Sequence, residues 1–392
     1  MVHRHAHAPV LAADGTLRWD WERLTDEMFE GLEVALARGP VASIGIDTWA
    51  VDYGLLDADG KLLSAPHCYR SDRTRAYERT LERVGRRRYY EICGLQVQPF
   101  NTIFQLAAHD RGELEAAEHL LFLPDLLVHH LTGEIATERT SAGSSGLYDL
   151  RAGDWSDELI EAAGAPPRLF TDIVDAPQRA GTWRGVRVVR VGGHDTASAF
   201  AAVPGASPNT AVVASGTWLI VGRLQPEPDF SPQAQSENFS NELGALGGVR
   251  FLKNVAGYWM LNECLRAWGV RDPVPLIEAA GRIGAAPAFD ATDPVLLAPA
   301  DMEAEVRRLA GLRGSDGREV VVRSIIESMA STTAAVIERL GGIEQIVLLG
   351  GGTRDDLLAE LIGERAGLPV RRGPAEATAV GNALVQKTAL ES

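Results

Sequence analysis

The chain has 392 residues, 45% of them hydrophobic and 23% charged, and its 38 basic and 53 acidic side chains give a formal charge of −15. That length exceeds one ordinary core, so two domains are expected, and the acidic field excludes nucleic acid and anionic membrane as partners except through a local basic patch. Cys68, Cys93 and Cys264 are widely spaced with no CxxC pair, and the first residues lack the apolar core of a signal peptide, which argues for a cytoplasmic protein without a disulfide framework or a membrane span.

Residues 2–20 read as a hairpin around Asp14-Gly15, and Leu24, Met28, Leu32, Val34 and Leu36 predict a helix over 21–38. His3, His5 and His7 alternate within that hairpin; they could share a strand face as metal ligands, although a solvated edge is the plainer reading. Strands are predicted at 43–47 and 50–56. Helices follow at 75–91, 102–110 and 156–163, with another opened by Pro124. The cluster Arg83, Arg86, Arg87, Arg88 reads as an exposed helix face. A strand over 187–191 runs into Gly192-Gly193. The turn-forming stretch 203–209 is the linker, which gives domains at 1–205 and 206–392. Beyond it lie a strand pair over 211–222, a loop near 224–240, a helix at 254–267, a long helix at 319–340 and a strand at 345–349. Helix 21–38 with strand 43–47, and helix 319–340 with strand 345–349, form the same unit twice, as expected of a duplicated ribonuclease-H-like fold.

Two glycine-punctuated turns follow buried apolar strands: Ser215-Gly216-Thr217 and Gly350-Gly351-Gly352. Glycine at a strand end lets backbone N–H groups approach an anion with no Cβ in the way. Asp195, in Gly192-Gly193-His194-Asp195-Thr196, opens a small-residue helix. It is open to two readings: a helix N-cap, or a general base left accessible by the glycine pair. No GxxxxGK[ST] and no HExxH segment occurs, which disfavours a P-loop kinase and a zincin. The stretch Glu376–Ala383 reads as a helix start with a closely packed glycine.

Taken together these motifs resemble the FGGY carbohydrate kinases. The resemblance is carried by Ser43-Ile44-Gly45-Ile46-Asp47-Thr48-Trp49-Ala50-Val51-Asp52, Tyr69-Arg70-Ser71-Asp72-Arg73-Thr74, and Pro99-Phe100-Asn101-Thr102-Ile103-Phe104-Gln105-Leu106. It continues through His194-Asp195-Thr196-Ala197-Ser198-Ala199, Ser215-Gly216-Thr217-Trp218, Asn238-Phe239-Ser240-Asn241-Glu242 and Leu252-Lys253-Asn254-Val255-Ala256-Gly257-Tyr258-Trp259. Gly350-Gly351-Gly352 and Glu376-Ala377-Thr378 with Gly381-Asn382 complete it, in family order from end to end.

The resemblance implies an α/β, actin-like ATPase fold in which two ribonuclease-H-like domains hold a sugar and MgATP in a cleft. It implies Asp195 as the general base on a ketose 1-hydroxyl, with Thr48, Trp49, Ala50, His194, Thr196 and Asn254 bordering the sugar. Ser215, Gly216, Thr217, Asn262, Gly350, Gly351 and Gly352 would meet the nucleotide, while the metal ligands are not specified. The expected substrate is L-rhamnulose, the alternatives being another ketose (fuculose or xylulose) or a catalytically impaired sugar- or nucleotide-binding role. Three departures stand out. Ala50 replaces a common Gly and Asn262 a familiar Gln. Nothing before Trp19 resembles the family's first phosphate-binding strand-turn-strand, so the first domain is expected to be N-terminally incomplete, with reduced turnover.

Overall fold

A computed structural model describes residues 1–297 and 299–391. The chain packs as two units, one of Met1–Ala201, Pro226–Val249 and Gly381–Ser392, the other of Ala202–Gln225 and Arg250–Val380.

In the first unit, Pro9–Leu11 (β1) and Leu17–Trp19 (β2) pair antiparallel over a turn where Gly15 takes φ 80° and Asp14 Oδ1 accepts from the Thr16 N–H at 2.9 Å. Asp20 caps Trp21–Arg38 (α1) by accepting from the Arg23 N–H. Met28 and Leu32 on its apolar stripe pack with Ile44, Val128, Leu131, Ala180 and Val188. Ser43–Thr48 is β3. The next strand, β4, is only Tyr53–Leu56, shorter than the expected 50–56, because Val51 takes φ 71° and breaks the extended backbone. The helix expected at 75–91 is two, Tyr77–Val84 and Arg86–Cys93, divided by Gly85 at φ 85°. Arg86, Arg87 and Arg88 on it pair with Glu78, Glu91 and Glu158, as an exposed face should.

Thr102–Ala107 (α2) follows, then His119–Phe122 (β5), antiparallel to β4, and Leu123–Thr132 (α3) with proline in its first turn. Gln178–Trp183 (β6) and Val186–His194 (β7) pair antiparallel, and β7 lies parallel to β3 in the order β6–β7–β3. The register sets Thr48 opposite His194. Asp195–Ala201 (α4) continues directly from β7, so Asp195 stands at the carboxyl end of the central strand.

The second unit opens with the hairpin Thr210–Ser215 (β8) and Trp218–Gln225 (β9). Val249–Ala256 (β10) and Tyr258–Trp268 (α5) come next; the helix expected at 254–267 therefore starts later, and Asn254 sits on a strand. The region expected as loop near 224–240 contains a short helix, Pro232–Ser236. Arg318–Leu340 (α6), Gln345–Gly350 (β11), Asp356–Ala366 (α7), Val370–Arg372 (β12) and Ala377–Glu391 (α8) complete the chain. Strands β10, β9, β8, β11 and β12 run side by side, with β8 and β11 parallel. Among the described residues α6 alone is long and apolar enough to cross a membrane, yet 83% of its apolar window is buried inside the protein. It is the core helix of its unit: Val321, Val322, Ile325, Ile326 and Met329 are fully covered. Its buried Glu327 is neutralised by Arg323 at 2.8 Å and by Arg365.

Candidate active site

Asp195 occupies the first position of α4 and its side chain is 42% exposed. Thr196 Oγ1 donates to its Oδ1 at 3.0 Å, and His194 Nε2 lies 3.6 Å from the same oxygen. His194 Nδ1 in turn stands 3.4 Å from Glu242 Oε2. The two glycines before it do not open an approach to the carboxylate. A Cβ on Gly192 would stand 2.5 Å from Ala245 Cβ, and one on Gly193 would stand 2.6 Å from Ser141 Oγ. Their purpose is close packing of the strand end that delivers Asp195.

That strand end is held by a buried acid. Glu138 Oε2 accepts from the N–H groups of Gly193 at 2.9 Å, Thr140 at 2.9 Å and Ser141 at 3.3 Å, and from Thr140 Oγ1 at 2.5 Å. Thr140 Oγ1 then accepts from the His194 N–H at 3.2 Å. Burial pushes the Glu138 carboxyl upward against the pull of these donors.

Thr48, Trp49 and Ala50 form the segment beside the His194 register position. Its backbone is strained: Val51 is β-branched and buried, yet sits at φ 71°. Such a conformation persists only where neighbours over-determine it. Here Val51 O accepts from Thr102 Oγ1 at 2.8 Å and Gln105 Nε2 at 3.1 Å. The fully buried Asp52 accepts from the indole N–H of Trp19 at 2.7 Å and of Trp49 at 2.9 Å, from Gln105 Nε2 at 3.0 Å and from the Tyr69 N–H at 3.2 Å. Burial nevertheless raises its carboxyl to about 6. Asp52 thus fixes the indole that forms the candidate sugar wall, and His7 stacks on that indole at 5.0 Å.

Asp47, at the end of β3, is raised to about 7, first by burial and further by the charge of Asp195. Asn382 of α8 donates to its Oδ2 at 2.5 Å and to the Gly45 carbonyl at 3.2 Å. A Cβ on Gly45 would strike Asn382 Oδ1 at 2.5 Å. The Gly381-Asn382 stretch therefore does more than pack.

In the second unit the two glycine turns are neighbours, because the parallel register pairs Ser215 with Gly350. Their glycines divide into two kinds. A Cβ on Gly350, itself at φ 79°, would stand 2.4 Å from the Ser215 carbonyl, and one on Gly352 would stand 2.1 Å from Ser215 Oγ. Gly216 and Gly351 are exposed; a Cβ on Gly216 meets nothing within 4 Å and one on Gly351 only the Ser215 carbonyl at 4.0 Å. Among the described residues Ser215 Oγ is buried with no hydrogen-bond partner. An unused buried hydroxyl donor, packed against Gly352 at the strand end, suits an anionic oxygen. The Gly216 and Thr217 carbonyls accept from the first N–H groups of α5 at 3.1 Å each, which ties the turn to the helix bearing Asn262. Asn262 and Thr217 are exposed and Asn254 half-buried. Tyr258 donates to Asp355 Oδ2 at 2.7 Å, and Asp355 caps α7.

Residues 4–199 match the N-terminal domain of the FGGY family of carbohydrate kinases, and residues 211–390 match its C-terminal domain. The chain belongs to the FGGY family of carbohydrate kinases. It is an ATP-dependent sugar kinase with the actin-like ATPase fold of two ribonuclease-H-like domains. Its sequence is 37% identical over 402 residues to a rhamnulokinase of Bacteroides thetaiotaomicron, covering 96% of this chain and 83% of that one. It is 34% identical to a rhamnulokinase of Enterococcus faecalis, with 96% and 81% covered. A xylulose kinase structure from Lactobacillus acidophilus superposes with a TM-score of 0.81 at 15% identity, over 99% of this chain and 84% of that one. A glycerol kinase from Plasmodium falciparum with ADP gives 0.76 at 14% identity, over 97% and 83%.

Asp47, Asp52, Gln105, Glu138 and Asn382 are the residues of this FGGY kinase that sequence reasoning left without a site role. An acid inside an apolar run, as in Ile44-Gly45-Ile46-Asp47 or Val51-Asp52-Tyr53, is the signal that points to the first two.

Proposed function

We propose that this FGGY kinase transfers the γ-phosphoryl group of ATP to the 1-hydroxyl of L-rhamnulose. The substrate reading rests on relatives named rhamnulokinase that are 33–37% identical over nearly the whole chain. The chemical reading rests on one observation: Asp195, solvent-accessible, at the end of a strand clamped by the buried Glu138.

Asp195 takes the hydroxyl proton as the sugar oxygen bonds to the γ-phosphorus, and the bond to the bridging oxygen breaks with its electron pair leaving on ADP. His194, Thr196, Thr48, Trp49, Ala50 and Asn254 position the sugar. Ser215 Oγ and the amides of Gly216, Thr217 and Gly351 donate to phosphate oxygens, with Gly350 and Gly352 shaping the turn and Asn262 beside the nucleoside. Mg²⁺, carried with the nucleotide, supplies charge neutralisation of the phosphoryl oxygens.

A substrate panel tests the reading. Coupled ADP release with L-rhamnulose, L-fuculose and D-xylulose should give the highest kcat/KM for L-rhamnulose, and product analysis should place phosphate on carbon 1. A higher kcat/KM for either other ketose would replace the substrate assignment.

A further inference from the structure

The N-terminal segment carries a second, separate constellation on the first unit. Glu27, Glu30 and Gly31 lie at i, i+3 and i+4 of α1 and so share one face of the helix. The ring of His3 rests on that face where Gly31 leaves room: its ring and Cβ atoms lie 3.4–3.6 Å from the Cβ that Gly31 lacks. His3 Nε2 reaches Glu27 Oε2 at 2.9 Å, and His5 Nδ1 reaches the other oxygen, Oε1, at 2.9 Å. The ligand atoms of His3, Glu27 and Glu30 all fall within 4.8 Å of one another. His7 does not join them; its ring stacks instead on Trp49 and meets Trp19 edge-on.

We propose that His3, Glu27 and Glu30 bind a divalent transition-metal ion of the zinc type, with His5 orienting Glu27 from behind. One imidazole and two carboxylates match the nitrogen and oxygen donors that zinc accepts, with a fourth position open to water. The charges agree: two carboxylates held within one ligand sphere repel each other, and a dication with a neutral imidazole makes the group neutral. Glu27 is pre-oriented, since His5 Nδ1 holds one of its oxygens and His3 Nε2 the other, the arrangement by which outer partners fix a ligating carboxylate. Helix, glycine gap and alternating histidines together supply a site far simpler than the kinase chemistry and independent of it.

The test uses the full chain, with any affinity tag removed and metal stripped by chelator. Zinc titration by calorimetry, in a buffer that does not bind zinc, should show one ion per chain with a micromolar dissociation constant. Co²⁺ should give visible d–d absorption. Glu27→Gln should weaken zinc binding at least tenfold, and Glu30→Gln should weaken it severalfold. Both variants should keep the circular dichroism spectrum and metal-free melting temperature of the parent. Absence of stoichiometric zinc binding in the parent would overturn the proposal, as would undiminished affinity in the folded Glu27→Gln variant. Kinase turnover with and without zinc is not the readout, so the outcome is separate from that of the substrate panel.

Discussion

Glu138 accepts the backbone N–H of Gly193 at 2.9 Å, two residues before Asp195, from a side chain that is almost entirely buried. One acid thereby sets the position of another. Replacing Glu138 by Ala would leave three buried N–H groups and a hydroxyl without their acceptor. Each unsatisfied buried group costs about 1–3 kcal/mol, so a total loss on the order of 3 kcal/mol is expected after relaxation. Urea unfolding of Glu138→Ala against the parent checks this; a loss below about 1 kcal/mol would show that the clamp does not hold the strand end.

The two kinds of glycine should separate stability from nucleotide binding. Gly350→Ala forces a Cβ within 2.4 Å of the Ser215 carbonyl at a left-handed backbone position, and should destabilise by roughly 2–3 kcal/mol. Gly351→Ala meets only one atom, at 4.0 Å, and should stay within about 0.5 kcal/mol of the parent while KM for ATP rises severalfold. Thermal melts and ATP titrations on the two variants give the answer. An unchanged KM in Gly351→Ala would remove that turn from the phosphate site.

Ser215→Ala deletes a hydroxyl that no described residue uses, so folding should be nearly unaffected. Loss of a donor to a charged phosphoryl oxygen should cut kcat/KM for ATP by about 10²-fold. Steady-state kinetics alongside a melting curve distinguish this from a purely structural role, in which stability falls and kinetics do not.

Asp52 binds a proton more readily in the folded chain, where its carboxyl stands at about 6, than in the unfolded chain. Folding therefore takes up a proton between about pH 4 and pH 6, and this group's contribution declines as pH rises through that window. Asp47 and Asp125, each raised to about 7 chiefly by burial, act in the same direction up to that pH. Asp52→Asn should flatten the decline. The stability difference between variant and parent should move in the variant's favour by up to about 3 kcal/mol from pH 4 to pH 7. Parallel urea-midpoint curves for the two proteins would refute the assignment.

Much of the frame was legible in the sequence because it is local. The stripe of α1, the length of α6, and the apolar runs of β3, β7 and β11 each follow from spacing within one segment. What escaped depends on register and on distant chain. Nothing local says that Ser215 lies opposite Gly350, so the two glycine turns read as separate features. Glu138 has local partners in Thr140 and Ser141, but the contact that ties it to the strand end, to Gly193, lies 55 positions away. Gly192 and Gly193 look like an opening in sequence, since their packing against Ala245 and Ser141 exists only in three dimensions. Asn254 looks helical in sequence because the strand that holds it runs straight into the helix across one glycine, Gly257.

In the proposed mechanism the carboxylate of Asp195 removes the proton from the sugar hydroxyl. Asp195→Asn keeps the shape of the side chain and abolishes its basicity. Single-turnover phosphorylation of L-rhamnulose should fall by about 10²–10⁴-fold, while calorimetry finds sugar and nucleotide affinities within about threefold of the parent. A single-turnover rate in Asp195→Asn within tenfold of the parent would contradict it.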